Sequence, residues 1–161
     1  MKQKILAFIV HNRKFLALKS KPHPQHGGGF WFVVTGEVEE GEDYVDAAKR
    51  EIIEETGLNV EDLLFLNWGS IYEWRGEIYK ELNFISFVNS EDVTLNEEHD
   101  EYEWLDMDVF IERIKWDDDK ELLRKVLKEA LNKKKYFKRQ KIKDYRENEA
   151  ETGKDAANKQ V

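Results

Sequence analysis

The stretch GEVEEGEDYVDAAKREIIEETGL, residues 36–58, decides how the rest of the chain is read. Its first part is acidic and carries Gly41, which suits a loop. Asp43 stands where a helix cap is expected, residues 44–56 read as a helix, and Gly57 is a stop signal. With Glu51 at zero on a helical wheel, Glu54 falls near about 300° and Glu55 near about 40°. Three carboxylates therefore share one arc, with Ala47 among them. Val45, Ala48, Ile52 and Ile53 fall on the opposite side and are expected to face a core. Like charges at this spacing repel by roughly a few tenths of a kcal/mol per pair even when exposed. A divalent cation is the simplest compensation. An all-oxygen donor set favours a hard ion, Mg2+ or Mn2+, over zinc. Arg50, beside Glu51, is placed to hold a carboxylate through its forked donors. Taken alone, ExxEE reads more readily as a solvated acidic face, and it is the surrounding spacing that favours a metal site.

Working outward, residues 5–10 and 14–19 read as a strand hairpin turning at Asn12-Arg13. Residues 21–29, with two prolines and three glycines, read as a loop. Residues 30–35 form a short strand ending at Gly36. Residues 63–74 and 81–88 read as strands around Arg75-Gly76, and residues 102–105 as a last strand. Leu122, Leu123, Val126, Leu127, Ala130 and Leu131 recur at helical spacing, predicting a second helix over about 117–135. The class is therefore α/β or α+β with a mixed sheet.

Composition narrows the function. The chain has 161 residues, 40% of them apolar, enough for one core. It has no cysteine, which removes disulfides, thiolate metal sites and a cysteine nucleophile. No apolar run reaches the roughly 20 residues of a membrane helix. No membrane association and a cytoplasmic location are the expectation. The net charge is −8, yet residues 133–161 hold 10 Lys/Arg against 5 Asp/Glu. The acidic body argues against general nucleic-acid binding. The expected organisation is a domain over 1–138 and a charged, disordered tail over 139–161, whose basic character leaves RNA contact open.

The spacing from Gly36 through Glu42, Arg50-Glu51, Glu54-Glu55 and Gly57 resembles the Nudix box at every specified position. The resemblance implies a Nudix-type α/β/α sandwich with a mixed sheet between helices. It also implies a Mg2+- or Mn2+-dependent hydrolase of a nucleoside diphosphate linked to another moiety, with a small nucleotide as substrate. Carried over, Glu51, Glu54 and Glu55 become metal ligands, with Glu51 also a candidate base. Arg50 orients a carboxylate, Glu42 supports the loop, and Gly57 closes the helix. Gly36 supplies a tight turn and a carbonyl for metal. A homodimer is consistent with the family.

Residues 98–106, EHDEYEWLD, resemble the EHxxYxW element of several Nudix subfamilies. Glu98 is thereby a further metal ligand or the base, with Glu97, Asp100 and Glu101 as rivals. Residues 30–36, FWFVVTG, resemble the WxxVTG pattern of the dihydroneopterin triphosphate and dATP pyrophosphatase group, which makes Trp31 a substrate-binding candidate. His23 and His26 in the Pro/Gly-rich loop, with Lys19 and Lys21 leading into it, are candidates to grip phosphates, Lys19 and His26 foremost. Trp68, Tyr72, Trp74 and Tyr79 either stack a base or belong to the core. The expected reaction yields pyrophosphate and a monophosphate from a nucleoside triphosphate or related compound. The alternatives are a non-catalytic nucleotide- or RNA-binding module and an RNA or dinucleoside polyphosphate pyrophosphohydrolase.

Overall fold

The computed structural model describes residues 1–25, 27–132 and 142–146. Along the chain run β1 (Lys2–His11), β2 (Lys14–Ser20), β3 (Trp31–Phe32), β4 (Val34–Glu37), α1 (Tyr44–Thr56), β5 (Asp62–Trp74), β6 (Glu77–Phe87), β7 (His99–Leu105), α2 (Met107–Arg113), α3 (Lys120–Leu131) and β8 (Ile142–Asp144). The strands form one mixed sheet in the order β3-β2-β1-β6-β5-β8, with β4 paired to β1 and β7 to β2. β1 runs parallel to β6 and antiparallel to β2 and β4.

Strand periodicity sorts the core onto two faces. In β1, Leu6, Phe8 and Val10 join α2 and α3 residues such as Phe110, Ile111, Leu123 and Leu127. The alternate residues Ile5, Ala7 and Ile9 join Ala47, Ala48 and Ile52 of α1. The sheet therefore lies between α1 on one face and α2 with α3 on the other, which is the expected sandwich. A strand covered on both faces has no polar alternation, which explains the unbroken apolar run of β1.

Turn chemistry follows the sequence. Asn12 and Arg13 join β1 to β2 with φ of 51° and 63°, and Arg75 and Gly76 join β5 to β6 with φ of 51° and 78°. Positive φ at both central residues matches the right-handed twist of the strands they connect. The Asp43 side chain accepts from the Asp46 N–H, and Gly57 ends α1 at φ 71°. That glycine adopts the left-handed conformation which satisfies the last carbonyls of the helix at no steric cost.

Several expectations are corrected. The strand foreseen over 30–35 divides: β3 pairs with β2, whereas β4 continues through Gly36 and pairs with β1. Gly36 is opposite Ile5 in extended backbone and makes no turn. On α1, Val45 and Ile53 are solvent-exposed at 43% and 52%, whereas Ala47 is fully buried. The helix is thus rotated relative to the wheel reading, and Ala47 and Glu55 meet the protein beside Ala48 and Ile52. α2 was not foreseen, because seven residues are too few to display a helical period. α3 starts at Lys120, where Asp119 accepts from the Glu121 and Leu122 N–H groups. In the expected tail, residues 142–144 form β8, parallel to β5 with Gly69 opposite Ile142. Outside residues 142–146 that tail, for which the sequence ranks RNA contact below a merely solubilising role, lies beyond the described residues. Among the described residues no helix is long and apolar enough to cross a membrane.

Candidate metal and phosphate site

Residues 38–43 connect β4 to α1, and beyond the Asp43 cap they are tied to the helix by the Arg50 side chain. Arg50 Nε donates to Glu42 Oε2 at 2.8 Å, and Nη2 donates to Glu42 Oε1 at 3.0 Å and to the Glu37 carbonyl at 2.9 Å. Glu42 also accepts the Glu39 N–H at 2.9 Å. This two-pronged pairing uses the planar fork of guanidinium, which an ammonium lacks. It holds the Glu42 carboxyl below its ordinary value, the Arg50 hydrogen bond being the main cause.

Arg50 also faces the helix carboxylates. Its Nη1 stands 3.3 Å from Glu54, 3.5 Å from Glu51 and 3.7 Å from Glu39. Part of the repulsion for which the sequence suggested a cation is therefore offset by Arg50 itself. The three carboxylates are not equivalent. Glu54 is exposed, Glu51 retains 12% side-chain exposure, and Glu55 is 3% exposed. Burial pushes the Glu51 carboxyl up to about 7, against the pull of the Arg50 charge. Burial pushes Glu55 up to about 9, and the charges of Glu51, Glu98 and Glu54 add to the effect. Desolvation penalises the ionised form of a carboxylate, and neighbouring negative charge penalises it further.

Glu51 packs against Gly36. A Cβ on Gly36 would fall inside the Glu51 carboxylate. The glycine is needed for this close approach of side chain to strand, rather than for a turn.

Glu98 lies on the loop before β7. Its Oε2 accepts from Asn96 Nδ2 at 3.0 Å, and its N–H donates to Asn96 Oδ1 at 3.1 Å. The next residue, His99, brings Nε2 to 3.7 Å from Glu55 Oε1. Burial lowers the pKa of that imidazole, favouring its neutral form. The sequence reading quoted His99 within its motif but gave it no role. Its signal was adjacency to Glu98, and only the packing of β7 beside β2 brings it to α1.

A cleft of about 510 Å3 opens here, lined by Lys21, His23, Thr35, Glu55, Glu98 and His99 among others. Two substrate-binding candidates are placed elsewhere. Lys19 is paired with Glu101 at 3.2 Å, and the Trp31 ring lies 5.2 Å beneath the Arg113 guanidinium. His26 lies outside the described residues. Trp104 is structural, with Nε1 donating to the Glu91 carbonyl at 3.1 Å. Among the described residues no three of His, Cys, Asp and Glu are gathered as a ready ligand set. The donors nevertheless suit a hard ion: Glu51, Glu54, Glu55 and Glu98 offer only oxygens, and two of them are buried carboxylates lacking full charge compensation.

Comparison with known proteins places this geometry. An octanoyltransferase of Myxococcus xanthus is 41% identical over 91 residues, 54% of this chain and 26% of that protein. An NAD-capped RNA hydrolase, NudC, of Haemophilus influenzae is 29% identical over 105 residues, 65% of this chain and 39% of that protein. The chain thus spans less than two fifths of the length of these curated relatives. A C. elegans Ap4A hydrolase structure superposes with a TM-score of 0.65 at 23% identity, covering 82% of this chain and 96% of that one. The E. coli dihydroneopterin triphosphate pyrophosphohydrolase superposes with a TM-score of 0.64 at 24% identity, covering 81% and 95%. These likenesses establish the fold. The NUDIX domain matches residues 1–126, and the chain belongs to the Nudix family.

Proposed function

We propose that this protein is a Mg2+- or Mn2+-dependent pyrophosphohydrolase. It hydrolyses a nucleoside triphosphate to a monophosphate and pyrophosphate, or the diphosphate bridge of a related nucleoside diphosphate compound to a nucleoside monophosphate and the phosphorylated other moiety. The observation that carries this reading is the buried carboxylate of Glu55 lining an open cleft with Glu98, and on the same helix Glu51, packed on Gly36 and facing Arg50, which holds Glu42. Family membership supports the same chemistry.

The ion would be held by Glu51, Glu54, Glu55 and Glu98, with the Gly36 carbonyl as a further oxygen. A bound divalent ion neutralises diphosphate charge and makes water a better nucleophile near neutral pH. The chain's own residues do the rest. Arg50 fixes the loop, so that Glu51 keeps one position against Gly36. Glu51, set beside the other carboxylates and held against Gly36, is the first candidate to accept the proton of the attacking water. Glu98 is the second candidate base, positioned by Asn96. Carboxylates this strongly coupled titrate as a group. Lys21 and His23 border the same cleft and supply positive or hydrogen-bonding contacts to phosphate oxygens.

The test is a panel of (d)NTPs, dihydroneopterin triphosphate, ADP-ribose and Ap4A with each ion, with products identified. Release of pyrophosphate or of a monophosphate from at least one compound is expected, and Glu54→Gln should abolish it with the fold intact. Absence of turnover across the panel, together with tight metal-free nucleotide binding, would instead establish a binding module.

A further inference from the structure

The loop between β2 and β3, irregular by composition, is tied at several points. At its neck the Ser20 N–H donates to the Phe30 carbonyl at 3.0 Å, and the Phe30 N–H donates to Ser20 Oγ at 3.1 Å. A Cβ on Gly29 would strike the Ser20 carbonyl, so a glycine is needed where the two arms come this close. Inside the loop, His23 and Gly27 exchange two backbone hydrogen bonds of 2.8 Å, and the Gln25 N–H donates to His23 Nδ1 at 3.0 Å. The root of the loop is joined to the carboxylate site, because the Lys21 N–H donates to the Glu98 carbonyl at 3.0 Å. Lys21, His23 and Gly28 line the cleft shared with Glu55 and Glu98.

The tip of the loop is reached from a distant element. Arg75, in the tight turn between β5 and β6, donates from Nη2 to the Gln25 carbonyl at 2.9 Å. Its guanidinium also lies 4.7 Å from the centre of the Trp74 ring. The ring steadies the cation through its π face, and the cation gives the carbonyl a charge-assisted hydrogen bond. Strand direction explains the meeting. The first residues of β1 pair with β6 just past the turn, Lys2 opposite Tyr79, and β2 runs back along β1 to finish at that same end of the sheet.

We infer that Arg75 is a positioning residue for the cleft: it clasps the loop over 21–29 to the β5–β6 hairpin and so holds Lys21 and His23 where they meet substrate phosphates. The inference rests on the hydrolase reading for the nature of the substrate. Its physical basis is preorganisation. Bonds within the loop fix its shape but not its tilt over the cleft. The Lys21 bond fixes the root, and the Arg75 bond fixes the tip. Without the clasp, substrate would have to order the loop as it binds, and that lost freedom weakens affinity. Among the described residues Arg75 pairs with none of the site carboxylates, so its loss acts on substrate affinity and spares the chemical step.

The test uses the full chain. Hydrogen exchange read by mass spectrometry follows the amides of residues 20–30, and calorimetry in Mn2+ gives the affinity for α,β-methylene-ATP and α,β-methylene-GTP. Arg75→Met should speed exchange in the loop and weaken analogue binding about tenfold, the scale of one lost hydrogen bond to a charged group. Arg75→Lys, which keeps a charged donor, should recover part of both effects. Gln25→Ala should change neither, since the clasp uses the main-chain carbonyl. For a compound that the parent hydrolyses, Arg75→Met should raise KM about tenfold and leave kcat within about twofold. Unchanged exchange in folded Arg75→Met overturns the inference, and weaker binding without faster exchange would instead assign Arg75 a direct phosphate contact. Equal affinity of parent and variant for both analogues, or none in either, also overturns it, as does a fall in kcat at constant KM. Should Arg75→Met not fold, Trp74→Leu, which removes the ring beneath the guanidinium, decides by the same readouts. Absence of hydrolysis across the panel, with the clasp effects present, would sink the hydrolase reading alone. Hydrolysis by a parent whose loop exchange ignores Arg75 would sink this inference alone.

Discussion

The Glu51 carboxylate rests on the α-carbon of Gly36, in the space that a Cβ would occupy at that position. A strand residue thereby sets the position of a helix side chain, and the α1 face is locked to β4 where the family motif begins.

Gly36→Ala is the direct probe of this contact. The atoms in the way are the far end of a flexible side chain, so Glu51 is expected to swing aside while the fold survives. Thermal unfolding should shift by only a few degrees, and hydrolytic activity should fall roughly 100-fold, the scale of a misplaced reacting group. A variant with full activity would show that the position of Glu51 is unimportant.

Arg50→Lys keeps the charge but not the fork that grips Glu42 and the Glu37 carbonyl. The loop over residues 37–43 should become more susceptible to limited proteolysis, and activity should drop about tenfold or more. Equal proteolytic resistance in parent and variant would remove Arg50 from its loop-holding role.

Metal loading should stabilise the folded chain. At a free ion concentration of about 100 Kd, Mg2+ or Mn2+ contributes roughly 2.7 kcal/mol, visible as a higher Tm that chelator reverses. Glu55→Gln should flatten this response. A Tm indifferent to both ions would deny the carboxylates their assigned ligand.

Burial holds the Glu81 carboxyl above its ordinary 4.5, with Lys4 opposing. Tyr72 and Tyr145 sense the same charge. Between 4.5 and the raised value the folded chain keeps a proton that the unfolded chain releases. This group's contribution to stability is therefore greatest at low pH and diminishes as pH rises through that window. Glu81→Gln should remove that slope, so that the variant gains on the parent as pH increases. Parallel Tm-versus-pH curves for parent and variant would contradict it.

The short helix α2 is anchored by Phe110, fully buried, whose ring lies 5.0 Å from that of Phe15 and 6.2 Å from that of Phe8. Phe110→Ala should cost about 3–5 kcal/mol, measurable by denaturant titration. A loss under about 1 kcal/mol would mean that the surrounding rings close the space.

The helix over 44–56, both tight hairpins and the box spacing were legible in the sequence, because caps, turn residues and periodicity are written in neighbouring residues. Sequence spacing likewise brought Glu51, Glu54 and Glu55 onto one arc. Only tertiary structure decided which of them is buried, since that depends on how α1 is rotated against the sheet, and the wheel reading set Val45 and Ile53 on the wrong side. The meeting of His99 with Glu55 and the contact of Gly36 with Glu51 are likewise products of strand pairing. Those pairings join residues far apart along the chain, and no local rule of spacing or propensity encodes where such partners come together.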